Sequence, residues 1–477
     1  LSLEEQKRIL KSSEVDNYEE ARIFFKNMIA KENLQREFDK HPAGPERFYD
    51  GLQIIPSRVV SEVLEKHTVV ATEDNTYFQY NGGLYHEVPD SAVDDFFLHL
   101  LKDKITPHQR SNLHGHLRGK VRLQRDEFNS GKLLNLDSGL FNIETKEQTP
   151  HTPLYFSTIR IPVWYDPEAQ CPKIEKFLKE VLPDPDDRKA VLEFFGYCLL
   201  PNHDVQKMFC FHGEGSNGKS TVLGLLKAFL GPKNVSGLSL HEITGSLFTV
   251  AGLYGKLANL SSETPSSALL STDIIKKLTG GDLISAQRKH RDPVHFVNTT
   301  KFIFAANTLP PSPDDTVAFY RRWQFFAFPN QFIGAKADKK LLEKITTSEE
   351  LSGLFNLVLE ALDRLKNNDW EFTKSQSVEW IQRHYSRLSN PTRAFAEDCL
   401  EERDGAEASK DDVYSAFSKY CKEKKLSVCL KASFALKLQA CTSAVHGKRG
   451  YWKNIEIKGS VSPKKKSSKQ KTLGGDE

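Results

Sequence analysis

Apolar and polar positions change rhythm several times along the chain. From Leu1 to about residue 70 the rhythm is helical, clearest in "NYEEARIFFKNMIAKENLQREF", and "HPAGPERFYDG" interrupts it. From Thr72 the pattern predicts short strands and turns. "TYFQYNGGLYHEV" reads as two strands around Asn81-Gly82-Gly83, with later turns at Asp137-Ser138-Gly139 and Thr149-Pro150. Two helices follow, "CPKIEKFLKEVL" and "DRKAVLEFFGYCLL". Strands and helices then alternate to about Asn330, before a helical stretch from Ala337 to Leu388. After Pro391 come three helices, "TRAFAEDCLEE", "KDDVYSAFSKYCKEKK" and "KASFALKLQAC", and a hairpin, "SAVHGKRGYWKNIEIK". Ser409 is the expected N-cap of the second helix. Three helices plus a basic hairpin form a winged-helix pattern. The end, "GSVSPKKKSSKQKTLGGDE", is low-complexity and predicted to be disordered. These changes divide the chain into 1–70 (helical), 71–185 (α+β), 186–390 (α/β with a helical extension), 391–458 (winged helix) and 459–477 (basic tail).

Composition narrows the class. With 39% apolar and 27% charged residues the 477-residue chain reads as globular, in several domains. No run of eighteen apolar residues occurs, so no membrane partner is expected. The start, "LSLEEQKRIL", is charged and does not resemble a signal peptide. It also lacks Met, so the chain reads as a segment of something longer. Seven cysteines, an odd number without a CxxC pair, argue against a zinc site or a disulfide framework and for a reducing compartment. The formal net charge is +3, unevenly spread. Residues 405–477 hold sixteen Lys/Arg against seven Asp/Glu, so that block carries +9 and the rest −6. A basic end on a mildly acidic body suits an anionic partner.

The strongest chemical signal is "MFCFHGEGSNGKSTVLGLLKAFLG". An apolar strand leads into Gly213-Glu214-Gly215-Ser216-Asn217-Gly218-Lys219-Ser220, and a helix follows with Thr221 in its first turn. This is G-x-x-x-x-G-K-[ST] in its required context. The glycines let backbone N–H groups converge on phosphates, and the helix N-terminus adds its positive end. Lys219 would neutralise the terminal phosphates of ATP, and Ser220 would hold Mg2+.

Two more strands belong to the same module. "GKLANLSSE" ends in one acid, Glu263, placed to activate water and to support the metal; it also reads as an exposed turn residue. "TKFIFAAN" ends in Asn307, whose amide could orient the attacking water. Between them "LTGGDLISAQRKHRDPVHFVNTT" alternates as a hairpin, with Lys289, His290 and Arg291 at its tip. The tip reads either as a solvated turn or as a basic finger on a phosphate backbone. "FYRRW" then offers Arg321 and Arg322, either as a finger for a neighbour's ATP site or as anchors for Asp314 and Asp315.

Loop "GEGSNGKS", strand "ANLSSE", hairpin "GGDLISAQRKH", strand "KFIFAAN" and "FYRRW" resemble, in order and spacing, the superfamily 3 helicases. The nearest resemblance is to the phage/plasmid primase-helicase family, related to the poxvirus primase-helicase, and it extends over roughly Thr72 to Lys458. It implies an α/β fold: an AAA+-like P-loop ATPase core, a mixed α+β region before it and a C-terminal winged helix. It also implies a homo-hexameric ring that hydrolyses ATP with Mg2+ and moves on single-stranded and forked DNA. Glu263 would be the acid of the second motif, Asn307 the polar residue of the third, and Lys289-His290 the DNA-gripping tip. Arg322 would be the arginine finger, with Arg321 as competitor. Lys431, Lys437, Lys448 and Arg449 would contact duplex DNA. Two acids often close the second strand in this superfamily. Here Ser262 precedes Glu263, leaving water or Asp282 for the missing contact. A primase or polymerase domain is expected upstream or on a separate subunit. The expected location is cytoplasmic, at replicating DNA, or nuclear in a eukaryotic host. The competing reading is an ATP-switched replication initiator or transcriptional ATPase that does not translocate.

Overall fold

The computed structural model describes residues 45–102, 105–201, 205–264, 272–288, 291–307, 319, 321–334, 338–374, 387, 390–424, 426, 428–448 and 450–458. The predicted N-terminal helical run and the basic tail lie outside these residues for the most part or entirely. The chain separates into two units: residues 1–265, 273–308 and 322–375 form the first, and residues 266–272, 309–321 and 376–477 the second. No helix among the described residues is long and apolar enough to cross a membrane. None of the seven cysteines is disulfide-bonded.

The first unit begins with a small α+β module. Helix α1 (Pro56–Lys66) precedes β1 (Val69–Thr72), β2 (Tyr77–Asn81) and β3 (Leu84–Val88). Helices α2 (Asp90–Leu101) and α3 (Pro107–Lys120) lead to β4 (Arg122–Leu123). The sheet order is β3-β2-β1-β4, antiparallel except for the β1/β4 pair. The predicted hairpin turns at Gly82 and Gly83, both at positive φ. One core joins Phe48, Val59 and Val63 to Val69, Tyr77, Phe97 and Leu117, so this module reaches back into the stretch read as a separate helical segment. Helices α2 and α3 are absent from the strand-and-turn expectation. In α2 Val93, Phe97 and Leu101 are buried and Phe96 and Leu100 pack beside them, a helical stripe the strand reading overlooked; α3 has a weaker one, with Leu113 and Leu117 buried.

A second small sheet, β5 (Leu133–Leu136), β6 (Gly139–Asn142) and β7 (Gln148–Thr149), runs into helices α4 (Pro172–Val181) and α5 (Pro185–Tyr197). Then comes an all-parallel sheet: β8 (Met208–His212), β9 (Val235–Ser236), β10 (Ala258–Ser261), β13 (Lys301–Ala306) and β14 (Trp323–Ala327) in the order β9-β10-β13-β8-β14. Helix α6 (Lys219–Leu230) follows β8. Helix α7 (Asp273–Gly280) and the antiparallel pair β11 (Leu283–Arg288) and β12 (Arg291–Val297) lie between β10 and β13. Helices α8 (Leu341–Ile345) and α9 (Ser348–Asn367) follow β14. One large core holds Leu134, Phe141 and Ile161 together with Phe177, Phe195, Phe209, Phe229 and Phe355. The boundary drawn at residue 185 therefore cuts through a continuous interior.

Two polar details fix this packing. Glu350 of α9, buried, accepts hydrogen bonds from the Lys173 and Ile174 backbone N–H groups at 3.2 and 3.1 Å. It thereby caps the N-terminus of α4, where Cys171 supplies no side-chain cap. Gly196 lets α5 and α9 meet: an added Cβ would lie 2.9 Å from Leu362 Cβ and 3.1 Å from the Val358 carbonyl oxygen.

The second unit has its own core around Phe395, Phe417, Phe434, Leu438 and Trp452. Its order is α10 (Pro391–Cys399), β15 (Leu400–Ser409), α11 (Lys410–Glu423), α12 (Lys431–Cys441), β16 (Val445–His446) and β17 (Tyr451–Ile457). The sheet is β15-β17-β16. The Ser409 hydroxyl accepts from the Asp412 N–H at 3.4 Å, as its cap position predicts. The first predicted helix is shorter than expected, because "LEERDGAEAS" is a strand. Its residues have little intrinsic preference for β structure. Pairing with the apolar β17, through a bulge between Glu402 and Glu407 with Gly405 at φ +75°, decides the outcome.

Candidate functional site

Because the five-stranded sheet is parallel, the loops after β8, β10 and β13 open on one edge, where ligands of such sheets collect. The β8 strand is buried from Met208 to Phe211 and fixed between β13 and β14. Its loop is left-handed at Gly215 (φ 101°), Ser216 (φ 51°) and Gly218 (φ 88°). Gly218 is also the N-cap of α6 and contributes no side-chain cap, so the first amides of that helix keep their donors for an anion. A Cβ there would be strained by φ and would lie 2.5 Å from Val181 Cγ1.

Lys219 is buried. Its ammonium donates to the Gly213 carbonyl (2.6 Å), Asn217 Oδ1 (2.8 Å) and Asn307 Oδ1 (3.1 Å). Burial pushes its pKa down from the ordinary lysine value. Each acceptor is a neutral oxygen, so the positive charge is solvated but not cancelled. Asn217 is the brace of the loop: Oδ1 also accepts from the Gly215 N–H (3.0 Å), and Nδ2 donates to the Phe328 carbonyl (3.0 Å). Glu214, Ser216 and Ser220 are exposed, and Thr221 is half-buried.

Register places the other two residues. His212 aligns with Ala306, and Ser261 with Phe304. Carried forward, this sets Gly213 level with Asn307 and Glu263 level with Ala306. The β10 strand lies two strands from β8, about 10 Å across. Glu263 is exposed there, on a turn held by the Ser261 hydroxyl donating to the Glu263 carbonyl (2.9 Å) and Thr264 Oγ1 donating to the Ala305 carbonyl (3.0 Å). Asn259 is wholly buried and structural: it accepts from Ser236 Oγ and the Leu238 N–H and donates to the Leu238 carbonyl. Ser262 is exposed.

The arginines sit elsewhere. Arg322 directly precedes β14, and its carbonyl accepts from the Met208 N–H at 2.6 Å. That is the opposite edge of the sheet, a five-residue strand or about 16 Å from the Gly213–Ser220 loop. The Arg322 side chain is 7% exposed and donates Nε to Thr279 Oγ1 at 2.9 Å, whereas Arg321 is exposed. Asp282 belongs to this far edge too: a Cβ on Gly280 would lie within 4.0 Å of both Asp282 Oδ2 and Arg322 Nη2. Asp282 is therefore not a partner for Ser220 in the same chain.

Pattern reading missed the cavity beside the loop. It has a volume of about 450 Å³, next to Ser216, Gly218 and Thr221; its apolar walls are Phe177 and Val181 of α4, Phe332, and Leu341 and Ile345 of α8, and charged residues including Lys173, Glu180, Asp338 and Lys344 complete the lining. The Phe332 N–H donates to the Ser216 carbonyl at 2.7 Å, tying this wall to the loop. The helical periodicity of "CPKIEKFLKEVL" marks Phe177 and Val181 as apolar. Nothing local to it says that they face the loop at Gly218, forty residues on.

Lys289 and His290 lie outside the described residues, as do Arg449 and the side chain of Arg291. In the second unit Lys431 opens α12, forms an ion pair with Asp411 and lies over the Tyr414 ring at 6.0 Å. Lys437 is half-buried and Lys448 exposed.

Two segments of the chain match different protein families. Residues 64–183 match the family described as D5 N terminal like, and residues 211–322 match a family of unknown function, DUF5906. Over 220 residues the chain is 27% identical to "Putative helicase L207/L206" of Acanthamoeba polyphaga mimivirus. That alignment takes in 44% of this chain and 23% of the viral protein, so the chain spans a minor part of that relative's length. Among solved structures, the A form apo structure of the NrS-1 C terminal region superposes with a TM-score of 0.52 at 14% identity, covering 82% of this chain and 86% of that one. A second apo structure of the same region gives 0.50 at 12% identity, over 84% and 99%. The chain thus shares its fold with the NrS-1 C terminal region and part of its sequence with a viral helicase-like protein.

Proposed function

We propose that this chain is an ATP-driven, ring-forming DNA helicase for replication of a virus, phage, plasmid or integrated element. The observation that carries the reading is the Lys219 ammonium, shared between the phosphate loop and Asn307 of a neighbouring strand. An uncancelled cation, open helix amides and an exposed acid stand at one sheet edge beside a partly apolar cavity. The likeness to the viral helicase-like protein supports the DNA-directed half.

The donor set fits a nucleoside triphosphate with Mg2+. The phosphates would take the open α6 amides and displace neutral oxygens from Lys219. The base and ribose would enter the cavity of Phe177, Val181, Phe332, Leu341 and Ile345. Ser220 and Glu263 would hold Mg2+, which supplies charge neutralisation on the phosphate oxygens. Glu263, exposed one residue short of the level of Asn307, would take a proton from the attacking water, and the Asn307 amide would orient that water. The arginine pair, at the far edge, cannot serve its own loop and suits a neighbouring subunit in a homo-hexamer. Burial and the bond to Thr279 fix Arg322 inside its own chain, so exposed Arg321 is the better finger. Lys289, His290 and Arg291 at the hairpin tip would grip single-stranded DNA. Lys431, Lys437, Lys448 and Arg449 of a winged-helix second unit would contact duplex at a fork.

The test is strand displacement on forked DNA with ATP, beside Lys219→Ala. ATP- and Lys219-dependent displacement is the expected result. Hydrolysis that DNA does not stimulate, with no strand released, would replace the translocase by the ATP-switched initiator.

A further inference from the structure

Arg288 closes β11, directly before the hairpin tip. Its Nη2 donates to Asp74 Oδ2 at 3.3 Å, reaching the β1–β2 turn of the preceding α+β module. The same oxygen receives a shorter bond from Arg125 Nη2, 2.6 Å, while Thr72 Oγ1 donates to Oδ1 at 2.6 Å. Burial alone would raise the Asp74 pKa. The bonds from Arg125 and Thr72 outweigh it and hold the carboxyl well below the usual carboxylate range.

The two arginines are not equivalent. Arg125 is 13% exposed, and its guanidinium lies over the Phe78 ring at 5.8 Å and the Tyr254 ring at 5.6 Å. Tyr254 in turn packs edge-on against Phe296 of β12, 5.2 Å between centroids. Arg125 is thus the seated partner of Asp74, while Arg288 makes the longer bond on a side chain 22% exposed. Asp74 keeps a counter-ion when Arg288 leaves.

We infer that Arg288 is a further contact for a DNA phosphate and that Asp74 holds it in reserve, its carboxylate standing where a phosphate oxygen would. The inference rests on the hairpin being the DNA-contacting element proposed above. A carboxylate and a phosphodiester offer a guanidinium the same planar pair of anionic acceptors. Exchange strands no charge, because Arg125 remains on Asp74. The contact joins the two segments that match different families, so DNA on the hairpin alters a bond to the preceding module.

The test is binding of a fluorescent single-stranded oligonucleotide to the full chain, by anisotropy, at several salt concentrations. Partly exposed pairs of this kind are modest, so Asp74→Asn is expected to tighten binding by about three- to ten-fold. Arg288→Gln should weaken it by a similar factor and lower the salt slope by about one. The double variant should match Arg288→Gln alone. If Asp74→Asn unfolds because Arg125 is left unpaired, Asp74→Asn with Arg125→Gln removes both charges, and the same tightening is expected. If Arg288→Gln binds weakly while Asp74→Asn binds like wild type, the reserve is overturned and the hairpin reading stands. Wild-type affinity in Arg288→Gln overturns the contact itself. No binding by the wild type removes the functional proposal beneath it.

Discussion

Lys219 and Asn307 stand 88 residues apart in the chain and 3.1 Å apart through Nζ and Oδ1. Parallel pairing of β8 with β13 makes this contact, since it ends both strands at the same level. Asn307→Ala is expected to cut ATP turnover by about ten-fold or more, with little change in melting temperature, because Gly213 and Asn217 still hold Lys219. Steady-state hydrolysis and thermal unfolding, measured on one sample, check both halves.

Exposed Arg321 and buried Arg322 separate by readout. Arg322→Ala should destabilise the chain by about 1–3 kcal/mol, since it empties a buried site and strips Thr279 of its donor. Arg321→Ala, at an exposed position, should abolish hydrolysis. Mixing Arg321→Ala with Glu263→Gln subunits should restore part of the activity if the site is shared. A mixture no more active than either variant alone would count against a finger in trans.

The cavity beside Ser216 predicts a KM effect. Phe332→Ala removes one wall next to Ser216 and should raise KM for ATP about five- to ten-fold with kcat nearly unchanged, the mark of lost uniform binding. Initial-rate kinetics over a wide ATP range decide it.

Glu350 reaches the same cavity from behind. Glu350→Ala uncaps α4 and leaves the Lys173 and Ile174 amides unpaired, a cost of about 1–3 kcal/mol. Because α4 carries Phe177 and Val181, KM for ATP should rise together with the loss of melting temperature.

Asp74 gives a pH signature. Its folded pKa lies below the unfolded value of about 3.9, so its stabilisation is complete above about pH 5 and is lost as pH falls below that. The melting-temperature gap between wild type and Asp74→Asn should be widest near neutrality and shrink toward about pH 3. A gap that grows on acidification would contradict the assigned charge state.

The strand–loop–helix around Lys219 and the two strands that lead to Glu263 and Asn307 were legible because spacing and apolar runs are local signals. Asn259 was visible in the same strand without its meaning, which lies in Ser236 and Leu238 about twenty residues back. Helix α2 was legible but passed over: Val93, Phe96, Phe97, Leu100 and Leu101 recur at helical spacing. Helix α3 has few apolar positions, and β15 takes its conformation from β17. The cavity walls come from α4, Phe332 and α8, and no window on the sequence holds them together. The difference in burial between Arg321 and Arg322 was likewise not legible, since adjacent identical residues differ only in what surrounds them.

The continuous interior beneath the Gly213–Ser220 loop also bears on inheritance. Phe141 of the small second sheet meets Phe355 of α9 edge-on at 5.2 Å, and Phe194 of α5 meets Phe209 of β8 at 4.1 Å. A recombination joint between residues 183 and 211, where the two family matches part, would have to bring complementary aromatic surfaces from both parents at once. The two segments are therefore expected to travel through genomes as a single heritable block, and hybrids joined at that point to aggregate.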